Sequence, residues 1–496
     1  MPLVSNKHSN AERVFYSSFD GGLNLSMPPE SLAKNELSEA LNVEFSPLKG
    51  VMQVRGGLVW SGRFPDEVKS VVAVPGKLAF LVSVKNSRKL YFFKWNNVWE
   101  VDGTLTGNNN LSAVTWGESG EMLIASGGKL QKFSGLELPP KLETISNSPD
   151  NCKLVFVREG RACVVNGADI ITFSAVGDCE SWNNDPEDSS TGQFVEIGYK
   201  DGMNIDAVIP LSRDLIIFKS PVAEPDKGTV FRLTGDFPDW QVLEVAHNTG
   251  TYSQLTAKAI ANDVFYITKS GLATLSSVNA YGDIQTSWPD RKVSVTLTQK
   301  LSQTAKLWDV PVKQQLWLLP SEQDKTIWVF DYTRGIWTCF EFPEIISHAV
   351  GVKNELYVFI GRDLYHVQDG YTQDDMKDTG KKEIYARLKL GTLLKAWKIL
   401  VKGAFATFYT VPSCEAVLKL DNFKMPFKAG GSVDYIYDAP NDTQYAFDDN
   451  DLLFPEGGIL TSRRRFIVRN WEITPIIEIT GGGCSLSTLG LEISEV

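Results

Sequence analysis

Three stretches decide the fold: SAVGDCESW (Ser174–Trp182), LTGDFPDW (Leu233–Trp240) and AYGDIQTSW (Ala280–Trp288). Each couples Gly-Asp to a tryptophan a few residues on, downstream of a hydrophobic run. Gly takes the backbone conformation that a tight turn needs. Asp accepts hydrogen bonds from nearby backbone N–H groups and locks the turn. Trp then brings a large apolar area to plug a gap. The repetition marks a structural device that ends a unit, not an active site.

The units themselves are similar in layout: strand, turn, strand, then a last strand closing on an aromatic. They run Ser70–Val101, Ser112–Leu138, Lys153–Trp182, Asp206–Trp240, Ala257–Trp288 and Lys306–Trp337, with a shorter His348–Gly370. Closing tryptophans fall at Trp99, Trp182, Trp240, Trp288 and Trp337, separated by 83, 58, 48 and 49 residues. The first gap spans two units. FDYTRGIW (Phe330–Trp337) carries the same device with its glycine displaced and resembles kelch-type blades. A period of about 40–50 residues made of short strands is the signature of a β-propeller. The expected blade-closing residues are Asp178, Trp182, Asp236, Trp240, Asp283, Trp288, Asp331 and Trp337.

Composition agrees. The 496 residues are 43% hydrophobic and 22% charged, with 40 Gly and 13 Trp, and helical periodicity is scarce. The expected fold is all-β: a propeller of six or seven blades over residues 61–371, and a β-sandwich platform built by the terminal regions. Residues 1–60 form an arm that packs with the platform. Within it Pro28-Pro29-Glu30 suits a helix start, with Leu32, Leu37, Ala40 and Leu41 on one face. Residues 372–383, TQDDMKDTGKKE, read as a polar linker. Residues 384–496 hold alternating runs such as IYARLKLG (Ile384–Gly391) and FIVRNWEITPIIEITGG (Phe466–Gly482).

A formal net charge of −11 argues against a broad nucleic-acid-gripping surface. No apolar run of about 18 residues predicts a membrane span, and MPLVSNKHSNAERVF has no signal-peptide core. Six scattered cysteines without CxxC read as buried small hydrophobes. Four unpaired histidines disfavour zinc, and no cofactor is expected. P-loop, GxSxG and HExxH motifs are absent. The turns loosely resemble sialidase Asp-boxes, but their residue order differs, and Arg158, Arg161, Arg213, Arg232, Arg291, Arg334 and Arg362 scatter. Catalysis is not expected.

Two charged regions remain. Asp434, Asp438, Asp442, Asp448, Asp449 and Asp451 form an acidic loop without EF-hand spacing. Residues 381–402 are basic, with Lys381, Lys382, Arg387, Lys389, Lys395, Lys398 and Lys402 against Glu383 alone, and Arg463, Arg464 and Arg465 stack before a strand. A basic sheet and an acidic loop on one chain suit head-to-tail packing of identical copies.

The arm carries a further pattern: F-x-G-G-L-N, P-x-x-L-x-x-N-E, A-L-N-V and G…V-R-G-G, on Phe19, Gly21, Gly22, Asn24, Leu32, Asn35, Glu36, Asn42, Gly50, Arg55 and Gly57. Lys153–Ser220 adds an FS…GD…W turn, an IG…DG step and an L…LIIFK strand, and Arg463–Val496 adds the closing strands. In this order they resemble the tail nozzle or hub proteins of short-tailed bacteriophages, also called tubular tail protein B-like or stabilisation proteins. The resemblance implies a homohexamer in the virion tail, assembled in the host cytoplasm. It docks on the head-to-tail adaptor protein, binds tail fibre or spike proteins, and lets genomic DNA pass without specific binding. Six copies carry 6 × −11 = −66 charges, so an acidic wall, with the Asp434–Asp451 loop as luminal candidate, repels phosphate. The alternatives are a peripheral propeller binding a host glycan or another tail protein, and a glycan hydrolase.

Overall fold

AFLVSV (Ala79–Val84) is buried at every position, and its neighbours Val68–Ala73 and Leu90–Lys94 pair with it antiparallel on either side. An unbroken apolar run bounded by turns becomes a central strand because both of its faces are covered. Asn97–Glu100 completes a four-stranded sheet. The computed structural model describes residues 12–45, 51–94, 96–117, 121–135, 138–183, 191–211, 213–278, 283–410, 415–428, 458–481 and 484–495. The protein is all-β apart from short 3₁₀ turns and one five-residue helix, Ser294–Thr298, among the described residues.

The chain divides into two units, one of Trp60–Gly335 with Glu344–Val367, the other of Met1–Val59, Ile336–Pro343 and Gln368–Val496. The first unit is a β-propeller. Its sheets begin on strands Val68–Ala73, Ser112–Trp116, Leu154–Arg158, Asn204–Leu211, Ala257–Ile260, Lys306–Val310 and His348–Val352, and this fixes seven blades. Blades one to five are four-stranded antiparallel meanders in chain order. The seventh is different: three of its strands are consecutive (His348–Val352, Glu355–Ile360, Asp363–Gln368), and the outermost is Gly57–Arg63 from far upstream. Arg63 clamps that closure, its Nε and a terminal nitrogen donating to the Asp363 carboxylate at 2.6 and 2.8 Å. Trp60 Nε1 donates to the same carboxylate at 3.2 Å. The strand from the other end of the unit covers the edge that Asp363–Gln368 would otherwise leave open, and so closes the ring.

Blades adhere through apolar clusters shared between neighbours. Phe80, Val82 and Phe93 of the first blade pack with Val350, Tyr357 and Phe359 of the seventh, with Phe64 from the closing segment. Trp99 packs between blades one and two, Trp182 between two and three, Trp240 between three and four, and Trp288 between four and five. Position in the blade varies: Trp99 lies within the outer strand, whereas Trp182 and Trp240 precede it and Trp288 follows it. The gap is therefore filled from the loop before the last strand as readily as from the strand itself. Inside the fourth blade Lys219 is fully buried, yet its ammonium group is held by Asp169 and Asp201, each at 2.8 Å, and by the Ile197 and Gly198 carbonyls.

The second unit is a two-sheet sandwich. One sheet runs in the order Val43–Phe45, Met52–Val54, Ser485–Glu495, Leu393–Thr410, Gly458–Ile473, with Glu12–Ser17 paired to Ser485–Glu495. The other places Glu36–Leu41 beside Tyr385–Leu390, then Pro475–Thr480, Glu415–Leu420 and Phe423–Lys428. Ala386, Leu388 and Leu390 alternate inward from one sheet; in the other Val401 faces inward, a register shift between Val401 and Gly403 changes the phase, and Ala404, Ala406 and Phe408 follow. N-terminal and C-terminal segments thus share one core.

Two local expectations give way. The segment after Pro28 is a single 3₁₀ turn (Pro29–Ser31) followed by the strand Glu36–Leu41, not a helix. A register shift between Leu37 and Glu39 brings Leu37 and Ala40 to the same buried side, so an i, i+3 spacing imitates a helical face. Residues 372–383 are not a linker. They fold as a hairpin, Gln373–Met376 against Gly380–Glu383, and their Asp374 is buried.

Gly490 lies under the ring of Phe405, its partner across the strand pair, and a Cβ there would sit 2.1 Å from the ring. Phe15 meets the same ring edge-on at 5.5 Å. Gly490→Ala is expected to lift Phe405 and cost about 1–3 kcal/mol, seen as a lower denaturation midpoint. In a Phe405→Ala background the same change should cost much less. Equal costs in both backgrounds would reject the contact as the cause.

Candidate functional site

Glycine takes a left-handed conformation in three of the blade-closing turns, with φ of 71° at Gly177, 84° at Gly235 and 69° at Gly335. Asp178 Oδ1 accepts the Glu180 N–H at 2.8 Å, and Asp331 Oδ1 accepts those of Thr333 and Arg334 at 3.0 and 2.9 Å. Asp236 turns through its backbone, its carbonyl accepting the Asp239 N–H. Asp283 opens the outer strand Asp283–Ser287. Trp337 is buried in Ile336–Glu341.

The scattered arginines have structural partners. Arg158 donates to the Arg213 and Gly235 carbonyls, and Arg161 to those of Ser174 and Thr191. Arg232 pairs with Asp214 and Arg334 with Asp331. Arg213, Arg291 and Arg362 are exposed.

The basic candidates do not form one patch. Lys381 and Lys382 lie exposed on the hairpin, Arg387 and Lys389 on the second sheet of the sandwich, and Arg463, Arg464 and Arg465 on the last strand of the first sheet. Pairing between strands also supplies carboxylates that the local sequence lacks. Arg387 meets Glu39 at 3.2 Å and Glu478 at 3.8 Å, Lys395 meets Glu12 at 2.9 Å, and Arg463 meets Glu492 at 2.6 Å. The expectation that Glu383 alone opposes residues 381–402 is therefore overturned. Asp434, Asp438, Asp442, Asp448, Asp449 and Asp451 lie outside the described residues.

What the sandwich does present is the strand Gly458–Ile473, which ends the hydrogen-bonded order of its sheet. Phe423 stacks on its Phe466 at 4.9 Å, and the Pro426 carbonyl accepts a hydrogen bond from Arg464. Ile467 and Trp471 stay 68% and 58% exposed, with Arg465 and Arg469 exposed between and beside them. Large apolar side chains beside arginine on a sheet edge have the composition of an interface core.

The motif residues of the arm have a structural place. Asn42 holds a left-handed conformation (φ 55°), donates to the Tyr385 carbonyl at 2.8 Å, and accepts from Arg55 Nε at 3.0 Å and the Glu341 N–H at 2.8 Å. Arg55 forms a two-pronged pair with Asp374 at 2.7 and 3.0 Å and lies over the Phe342 ring. Gly57 admits the Gln373 carbonyl, which a Cβ would meet at 2.2 Å.

Charge also lies along the propeller axis, where sequence reading singled out nothing. A cavity of about 370 Å³ is walled by inner strands and includes Lys258, Asp309 and His348. Burial pushes the Asp309 carboxyl up to about 6, against the pull of Lys258, and Asp309 Oδ1 has no hydrogen-bond partner. Burial raises Asp206 and Asp290 to about 6 as well. Folding therefore favours protonation of all three. Their contribution is full below the unfolded value near 4 and is lost as pH rises through about 6. Asp309→Asn is expected to flatten the fall in stability between about pH 4 and 6; denaturation midpoints with an unchanged pH slope would reject this.

No protein-family model matches the chain, and no curated protein sequence matches it. Several solved β-propeller structures resemble it. A catalytically inactive virginiamycin B lyase from Staphylococcus aureus, solved with quinupristin, is 10% identical, with a TM-score of 0.44 over 63% of this chain and 98% of that one. BamB from Moraxella catarrhalis is 10% identical, with a TM-score of 0.39 over 66% and 96%. A luciferin-regenerating enzyme is 10% identical, with a TM-score of 0.36 over 66% and 98%. At that similarity they say nothing of what this chain binds or does.

Proposed function

We propose that the chain is a structural component of a bacteriophage virion: the nozzle or hub of a short tail. In this reading it forms a homohexameric ring beneath the head-to-tail adaptor, extends the channel for DNA ejection, anchors fibres or spikes, and performs no catalysis. The motif order from Phe19 to Gly57, through Lys153–Ser220, to Arg463–Val496 suggests the family. The observation that carries self-assembly is the Gly458–Ile473 strand, exposed along an edge with Ile467, Trp471 and arginines outward. Exposed Ile467 and Trp471 on an edge strand otherwise rich in arginine favour burial against a partner, and a second copy of the chain is the natural cover in a ring.

Absolute quantification in purified virions tests the reading. A ratio near one half to a twelve-subunit portal protein supports an axial ring of six. A clearly different ratio moves the protein to the periphery, as a module binding a glycan or another tail protein. Its absence from virions ends the structural reading.

A further inference from the structure

A second cavity of the propeller, about 340 Å³, lies where the first, sixth and seventh blades meet, and its wall includes Lys69, Lys85, Lys306 and His348. Val68, Leu319 and Ile346 supply an apolar side. The volume lies in the range of small-molecule pockets, and convergent polar groups on an apolar wall are what such pockets use.

The polar groups are incompletely used. Lys306 is buried, and its Nζ donates to the Ser347 carbonyl at 3.1 Å and meets Glu322 at 3.0 Å. Lys69 donates to the carbonyl and side-chain oxygens of Asn108, both neutral. Lys85 pairs with Glu67 at 2.9 Å. An ammonium group has three donors, so each lysine has capacity left. His348 is 3% exposed, and neither ring nitrogen makes a hydrogen bond. Burial holds its pKa well below the usual value, and Lys306 and Lys85 add to that. The ring is therefore neutral, and the acceptor within reach of its N–H, the Lys69 backbone, lies outside good hydrogen-bond geometry. A buried orphan donor beside three cations calls for an anionic oxygen.

We infer that this cavity binds a small organic anion, its phosphate or carboxylate oxygens among Lys69, Lys85, Lys306 and His348 and its body against Val68, Leu319 and Ile346. Glu322 pairs with Lys306 and Glu67 with Lys85, so Lys69 is the cation of the three whose hydrogen-bond partners are all neutral. The site is independent of the tail reading and of the exposed edge strand.

Calorimetric titration of the full-length protein at fixed ionic strength tests this, with inorganic phosphate and benzoate as the two probes. Saturation at one equivalent by phosphate alone assigns a phosphate head group. Saturation by benzoate alone assigns a carboxylate with an apolar body, and saturation by both assigns a general anion site. Lys69→Gln with Lys85→Gln, two residues outside the buried core, should weaken binding at least about tenfold. His348→Phe should weaken it as well. No saturable binding of either probe, or full affinity in the double lysine variant, overturns the assignment.

Discussion

Asp374→Ala is expected to destabilise the sandwich unit by about 3–5 kcal/mol, because it leaves the Arg55 guanidinium buried without its counter-charge. Both side chains are nearly sealed, 2% and 3% exposed, and the pair is bidentate. Asp374 also accepts the Leu58 N–H at 3.1 Å, so its loss orphans a backbone donor too. Arg55 further binds the Gly56 and Glu341 carbonyls and Asn42, so that, with Asp374, three separate chain segments are tied to one cation. Asp374→Asn keeps the shape and part of the hydrogen bonding, and should cost less than Ala. Arg55→Met combined with Asp374→Asn removes both charges and keeps an acceptor for the Leu58 N–H, and should be milder than Asp374→Ala, since no unpaired ion remains. Chemical denaturation followed by tryptophan fluorescence gives the order. If the double variant Arg55→Met, Asp374→Asn proves the worst of the three, the uncompensated-charge account is wrong, and the network matters for its hydrogen bonds alone.

This pair shows where the sequence is legible. The blades could be read because each is a local unit: hydrophobic runs, turns and a tryptophan recur within about 50 residues, and the strand pairing stays inside that span. The sandwich could be read for the same reason, from alternation along Tyr385–Leu390 or Pro475–Thr480. What connects distant segments left no local trace. Arg55 and Asp374 are 319 positions apart, and a polar run around Asp374 reads as a linker until its partner is known. The closing strand of the seventh blade, Gly57–Arg63, lies some 300 residues from Asp363, which it clamps. The basic run at 381–402 is compensated by Glu12, Glu39 and Glu478, which no windowed charge count includes. Leu37 and Ala40 mislead differently, since one register shift converts strand alternation into helical spacing. His348 and Lys306 escaped notice because their significance lies in the orphaned nitrogens and the shared cavity, not in spacing.

The second large effect concerns assembly. Under the ring proposal, Ile467→Asp with Trp471→Asp is expected to leave monomers where the parent chain gives a ring. Burying a large apolar side chain contributes about 1.5–3 kcal/mol. Two of them lost from each contact amount to about 3–6 kcal/mol, or roughly 10²–10⁴ in each association constant. In a closed ring that loss recurs at every interface, so the ring fails cooperatively. The same substitutions should scarcely affect the fold of the chain, because both side chains are largely exposed within one copy. Light scattering coupled to size exclusion, with thermal denaturation of the isolated monomer as control, separates the two effects. Arg465→Ala and Arg469→Ala together offer an internal comparison, expected to act mainly through association rate and salt dependence at an exposed rim. A ring that persists in the Ile467→Asp, Trp471→Asp variant rules out this strand as the subunit contact. Monomers from the parent chain at every concentration and salt would remove the physical support for self-assembly, leaving the family resemblance to stand on its motifs alone.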